Sequence, residues 1–258
     1  MSVGPTPVNY AVKDGIAFIN LNNPPLNILN IKLMNELSAA LDRASNDASA
    51  RAVVVGTAIE RAFSAGADVK EHLPDKAPGM LDAFTGLIEK VLFFDKPTVA
   101  AVKGACLGGG FELAIAFDFV VSGESAFFGT PEIRLGAMPP IAAVLLPRII
   151  GVRRALRVVL LGENFPASEA ERMGVLTKVV PDAEVDAEAE RLARSASEIS
   201  LSTIRIVKKA FWGALGSNIG DGFELVNNIY KEELLKTEDG VEGLKAFLEK
   251  RKPAWKDR

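Results

Sequence analysis

The sequence predicts an α/β fold, a parallel-sheet core followed by a helical region, and two observations carry that prediction. Through the first three quarters of the chain, short β-branched runs alternate with stretches whose apolar residues recur at helical spacing. In the last quarter strand signals nearly vanish and helical spacing takes over. The composition fits one large globular domain with or without an appendage: of 258 residues, 48% are hydrophobic and 24% charged.

Val8 to Leu21 reads as two short strands around Asp14-Gly15, a dipeptide whose two positions both tolerate φ > 0, as a hairpin turn requires. After Asn22-Asn23-Pro24-Pro25, Leu33, Leu37 and Leu41 recur every four residues among polar neighbours, which predicts an amphipathic helix ending near Asn46-Asp47. Ala52 to Val55 is a buried strand by its β-branched run. A helix from about Met80 to Phe94, a strand at Thr98 to Val102, a helix after the glycines at 108 to 110, and a short strand at Phe119 to Val121 follow. Beyond Glu132 the expected helices are Arg153 to Leu161, Ser168 to Met173, Ala187 to Ser197, Ser202 to Leu215, Phe223 to Leu235 and Val241 to Lys250, with Leu176 to Val180 as the remaining strand signal. The stretch from Ser195 to Ser202 is a plausible hinge, dividing the chain into a core, 1–197, and a helical region, 198–258. No fixed-period repeat is visible. The last helices carry apolar residues on more than one face (Val207, Phe211, Trp212; Phe223, Val226, Tyr230), so subunit contacts are expected there.

Lys and Arg number 30 against 33 Asp and Glu, a formal charge of −3, which supplies no positive field for a nucleic-acid backbone. One Cys and one His exclude a disulfide framework and leave too few soft ligands for structural zinc. The opening Met1 to Pro7 lacks the basic and apolar regions of a secretory leader. No apolar run approaches the ~18 residues of a membrane span, so a cytoplasmic address is expected.

Three places can hold chemistry. Phe63-Ser64-Ala65-Gly66-Ala67-Asp68 follows a strand with four small residues in a row. It reads either as a turn offering backbone N–H groups to a ligand or as an ordinary strand-to-helix turn capped by Asp68. Gly104 to Glu112 contains three consecutive glycines at a strand end opening into a helix. Fixing glycines is entropically unfavourable unless something approaches closely, and N–H groups fixed in advance suit a developing oxyanion. The spacing fits neither a dinucleotide fingerprint nor a phosphate loop. Glu112 and Glu132 are the third candidate: each sits early in a helix, where an acid has a structural explanation, but Glu112 lies among Phe111, Leu113, Ala114 and Ile115, surroundings that raise a carboxyl toward proton transfer at neutrality. Cys106, between Ala105 and Leu107, reads as a small core residue, and His72, in Val69-Lys70-Glu71-His72-Leu73-Pro74, as an exposed polar one.

These same segments carry a resemblance. Arg61 to Glu71 resembles the first signature of the enoyl-CoA hydratase/isomerase family, the crotonases. Lys96 to Val102 running into Gly108-Gly109-Gly110-Phe111-Glu112-Leu113-Ala114 is similar to the second, and Phe128 to Ile133 with Leu135-Gly136 to the third. Lys236 to Gly240 and Glu242 to Arg251 resemble the family's last helix, so the likeness runs from the hairpin to the end of the sequence. It implies a spiral of repeated ββα units with a C-terminal helical trimerisation region, assembled as a homotrimer or homohexamer, and an acyl-CoA thioester substrate with no resident cofactor or metal. It further implies that Ala67 and Gly109 bind the thioester oxygen and that Glu112 and Glu132 are catalytic. Ala65, Arg61, Asp68 and Lys70 become CoA contacts, joined by Phe247 and Lys250 of a C-terminal helix, either of this chain or of a neighbouring subunit. With both glutamates present, the expected reaction is hydration of a 2-enoyl-CoA. Isomerisation, decarboxylation or non-catalytic acyl-CoA binding on the same scaffold are the alternatives. One departure stands out: where the hydratases usually have a Gly-rich turn, this chain reads Ala137-Met138-Pro139-Pro140-Ile141, similar to hydratases acting on cyclic dienoyl-CoA esters of aromatic degradation.

Overall fold

The computed structural model describes residues 6–258; the leader-free reading of the first residues falls largely on 1–5, outside the described residues, as does the start of the 1–197 core. The chain opens with an antiparallel hairpin, Val8–Lys13 (β1) and Ile16–Leu21 (β2), followed by helix Ile31–Asn46 (α1). Asp14 and Gly15 take φ of 51° and 81°, as the tight turn demands, and pair Val8 with Leu21 through Lys13 with Ile16. The Asn30 side chain caps α1 by accepting from the Leu33 N–H at 2.8 Å. Leu33, Leu37 and Leu41 are buried as their spacing predicts.

Strand, strand, helix then recurs three times. The units are Ala52–Thr57 (β3), Ala62–Ser64 (β4) and Ala77–Leu92 (α2); Thr98–Val102 (β5), Ala105–Leu107 (β6) and Gly109–Ala114 (α3); Phe119–Gly123 (β7), Phe127–Gly129 (β8) and Pro140–Ile150 (α4). Val152–Leu161 (α5), Phe165–Pro166 (β9), Ala167–Met173 (α6), Lys178–Val180 (β10) and Val185–Ser197 (α7) complete the core. In each repeated unit the first strand joins one sheet and the second strand the other. The large sheet runs β1-β2-β3-β5-β7-β10 and the small one β4-β6-β8-β9, so the chain winds as the expected spiral between two walls. Beyond the hairpin the large sheet is parallel; in the small sheet β4, β6 and β8 are parallel and β9 is antiparallel.

β3 is buried along its whole length because helices cover both faces of its sheet. Ala52 and Val54 face α7, meeting Val185, Ala189 and Ala193, while Val53 and Val55 point into the larger core shared with the small sheet and α1 to α3. Phe111 of α3 meets Phe128 and Phe165 edge-on at 5.7 and 5.8 Å, locking the helix that carries Glu112 onto the small sheet.

The helical region comprises Leu201–Leu215 (α8), Ile219–Glu232 (α9) and Glu238–Leu248 (α10). Residues 254–258 double back over it. Asp239 is 1% exposed; its carboxylate accepts from the Lys256 and Asp257 N–H groups and from the Ser200 hydroxyl, and Asp257 in turn pairs with Arg51 of the core. α8 and α9 pack together yet leave Phe211 63% and Phe223 69% exposed. No helix among the described residues is long and apolar enough to cross a membrane. Two features differ from the sequence expectation. α4 was not anticipated, since Pro139, Pro140 and the internal Pro147 hide it, and β4, β6, β8 and β9 are too short to show alternation.

Candidate active site

Three neighbouring strands of the small sheet end at the same place. β4 leads into Ala65 to Asp68, β6 into Gly108 and Gly109, and β8 into the 3₁₀ turn Pro131–Leu135. Adjacent strands lie ~4.8 Å apart, so the three segments meet without help from any long loop. They enclose a cleft of about 350 Å³ lined by Ala65, Ala67, His72, Gly108, Glu132 and Ala137 among others.

The backbone at Ala67 and Gly109 is closely apposed: a Cβ on residue 109 would stand 3.3 Å from the Ala67 nitrogen. Neither N–H donates to another group among the described residues. Gly109 is the first residue of α3, where N–H groups have no acceptor within the helix. Two free donors side by side are what a developing oxyanion needs.

Glu132 lines the cleft and packs against Gly108, whereas Glu112, three residues beyond Gly109 in α3, does not line it. Glu112 is 2% exposed, and its Oε1 accepts from Ile141 N–H and Ala142 N–H, both at 2.8 Å. These are the first available donors of α4, because Pro140 has none. Burial pushes the Glu112 carboxyl up to about 8; the two N–H groups restrain the rise and the charge of Glu132 adds to it. Burial also raises Glu132, opposed by its own backbone N–H and by the charge of His72. Glu132 Oε2 is buried with no hydrogen-bond partner among the described residues. Oε1 of Glu132 fills the space a side chain on residue 108 would take, 2.5 Å from an ideal Cβ there, and Gly108 has φ of +50°.

A family model for enoyl-CoA hydratase/isomerase matches residues 11–258. The chain belongs to this family. It is 39% identical to a probable enoyl-CoA hydratase of Rhizobium meliloti over 94% of this chain and 95% of the relative. It is 34% identical to the cyclohexa-1,5-dienecarbonyl-CoA hydratase of Thauera aromatica over 100% of both. The crystal structure of an enoyl-CoA hydratase from Bacillus anthracis superposes with a TM-score of 0.90 at 31% identity, covering 98% of this chain and 100% of that one. The protein is therefore a hydratase-type enzyme with the crotonase fold.

The other sequence candidates of this crotonase are placed unevenly. Ala65 lines the cleft with its N–H already bonded to the Leu26 carbonyl. Arg61 is exposed and donates through Nε to the Pro25 carbonyl at 2.9 Å, and Lys70 is exposed on the next turn. Asp68 does what a cap does, its Oδ1 accepting from the Lys70 N–H at 2.9 Å. Phe247, 82% exposed, and Lys250 sit at the end of α10, which packs on α8 and the turn Leu234–Lys236; neither lines the cleft of its own chain. Cys106 is fully buried, as a core residue should be. His72 departs from expectation: it is half-buried and lines the cleft, whereas its polar sequence neighbours suggested surface. Its signal was hidden because the cleft wall is made by the 3₁₀ turn Val69–His72, whose burial no periodicity reveals. No group of three or more His, Cys, Asp or Glu placed to hold a metal occurs among the described residues.

Proposed function

We propose that this enzyme adds water reversibly across the conjugated double bond of a 2-enoyl-CoA thioester. The observation that carries the reading is the apposition of two unpartnered backbone N–H groups, at Ala67 and Gly109, beside Gly108, on which the Glu132 carboxyl packs; Glu112, also raised by burial, follows in the helix that Gly109 opens. The thioester oxygen accepts from the N–H groups of Ala67 and Gly109, which stabilise the negative charge that moves onto it as water oxygen bonds to C3. One such donor is typically worth ~3 kcal/mol in the transition state. Glu112 and Glu132 hold one proton between them. The ionised member takes a proton from the attacking water and the protonated member delivers one to C2, so the pair returns to a one-proton state and the reverse exchange dehydrates the product. Coenzyme A enters as part of the substrate.

On this reading Arg61, Ala65, Asp68 and Lys70, which flank β4, serve a bent CoA tail, joined by Phe247 and Lys250, which do not line the cleft of their own chain, from another subunit. That arrangement, together with the apolar surface around Phe211, Phe223 and Tyr230, supports a homotrimer or a pair of trimers built through 198–258 and tethered to the 1–197 core. Sedimentation equilibrium is expected to give a multiple of three chains.

Replacing Glu112 or Glu132 by Gln is expected to lower kcat for hydration ~10²–10⁴-fold each while thioester binding, read by calorimetry, survives. Full activity in either variant would overturn the assignment. A second reading concerns the acyl group. Pro139 and Pro140 open the helix that grips Glu112, and the dienoyl-CoA hydratase relative aligns along the whole chain. They favour cyclohexa-1,5-diene-1-carbonyl-CoA over short straight-chain esters, a preference refuted if purified protein hydrates crotonyl-CoA far faster.

A further inference from the structure

Ser64 ends β4 fully buried, and its hydroxyl joins two segments of the chain. It donates to the Asn27 carbonyl at 2.7 Å and accepts from the Gly66 N–H at 3.1 Å. Asn27 is a fixed anchor. It is 0% exposed and takes φ of 50°, a region that asparagine enters more readily than most residues. Its Nδ2 donates to Thr57 Oγ1 at 2.9 Å and to the Phe63 carbonyl at 3.0 Å, and its Oδ1 accepts from the Asn23 N–H at 2.8 Å.

The main-chain donors that follow Ser64 can be followed one by one. Ala65 N–H goes to the Leu26 carbonyl at 3.0 Å, Gly66 N–H to Ser64, and Asp68 N–H to the Leu29 carbonyl at 3.1 Å, while the Gly66 carbonyl accepts from the Leu29 N–H at 2.9 Å. Leu29 and Ala67 thus form a parallel bridge that uses the groups on either side of Ala67 and turns the Ala67 N–H away from Leu29. Within this segment Gly66 N–H is the donor that depends on a side chain, so the path into Ala67 is set by one hydroxyl. Ser64 also meets the other half of the donor pair. An ideal Cβ on Gly110 would stand 2.7 Å from Ser64 Cβ and 2.9 Å from its Oγ, so α3 touches Ser64 one residue after Gly109.

We propose that Ser64 is a positioning residue for the oxygen-binding pair, its hydroxyl, anchored on the Asn27 carbonyl, fixing Gly66 so that the Ala67 N–H stays beside that of Gly109. The proposal rests on the assignment of those two N–H groups to the thioester oxygen, and the test reads that assignment separately. The probe is butanoyl-CoA with ¹³C at its thioester carbonyl, a saturated ester with no double bond to hydrate. Its carbonyl stretch is followed by difference infrared spectroscopy, free and bound to wild type, Ser64→Ala and Ser64→Cys. Two convergent donors draw electron density onto the oxygen and lower the frequency. Ser64→Ala removes both hydrogen bonds and is expected to lose half or more of the wild-type lowering. Ser64→Cys, which keeps a weak donor and a weak acceptor, is expected to fall between the two. In turnover Ser64→Ala is expected to lower kcat ~10²-fold with KM within about twofold, and Ser64→Cys to recover part of the loss. If Ser64→Ala does not fold, Ser64→Cys carries the comparison. A wild-type lowering retained in both variants overturns the proposal and leaves the hydratase reading intact. No lowering in wild type removes the oxygen-binding assignment and the proposal with it. A fall in kcat at unchanged carbonyl frequency would show a merely structural role and count against it.

Discussion

Gly108 has no room for a side chain. Glu132 Oε1 occupies the position of the missing Cβ, and the φ of +50° is one that other residues adopt only under strain. Gly108→Ala is expected to displace Glu132, lowering hydration roughly 10²-fold or more, and to destabilise the fold by about 1–3 kcal/mol, read by urea denaturation. Glu112 gives a prediction with a pH sign. Its carboxyl titrates at about 8 in the folded chain against an ordinary 4.5. An acid with a raised folded value binds its proton more tightly when folded, so its contribution is intact below the unfolded value and is lost as pH climbs toward the folded one. At about 1.4 kcal/mol per unit, the loss is on the order of a few kcal/mol. Glu112→Gln escapes it: the variant is expected to match wild-type stability at pH 4 and to exceed it by that amount at pH 9, while losing activity. Equal stability at both pH values would contradict the burial argument. At this scale the sequence was informative where a residue type and its apolar neighbours coincide, as at Glu112. It misled at His72, whose exposure is decided by a turn rather than by a period.

α4 is the element on which pocket and chemistry depend together. Its two opening prolines fix φ and remove N–H groups, leaving Ile141 and Ala142 as the donors that hold Glu112. Replacing Pro139 by Ala and Pro140 by Gly restores donors at 139 and 140 and frees the backbone. The double variant is expected to lose about 1–2 kcal/mol of stability through the unfolded chain and to shift its rate ratio toward crotonyl-CoA and away from the cyclic diene, measured side by side. An unchanged ratio would show that the turn does not shape the acyl site. The same prolines explain why the helix escaped a reading of helical signals, and the three-residue strands of the small sheet escaped for want of length. α1 was legible because Leu33, Leu37 and Leu41 form one unbroken stripe beneath an Asn cap.

The whole molecule repeats a unit that the sequence conceals. β3, β5 and β7 begin at Ala52, Thr98 and Phe119, so successive turns of the spiral differ greatly in length and share no fixed period. The α/β class was nonetheless visible, because burial on both faces gives β3 and β7 their valine runs and β5 its Val-Ala-Ala-Val stretch. The segment 254–258 fastens the helical region to the core through Asp239, Asp257 and Arg51. Its removal is expected to accelerate hydrogen exchange in α8 and α10 while amides of β3 and β5 keep their protection; uniform acceleration would mean that the two parts open as one. The convergence of β4, β6 and β8 on a single cleft has a consequence for descent. Spacing among the reactive groups is inherited from the ladder of main-chain bonds, which no ordinary side-chain replacement disturbs. Each strand, by contrast, hands over to a separate short segment that can be exchanged by itself. Such a scaffold can change the cleft lining one connection at a time, with the apposition of Ala67 and Gly109 carried along unchanged.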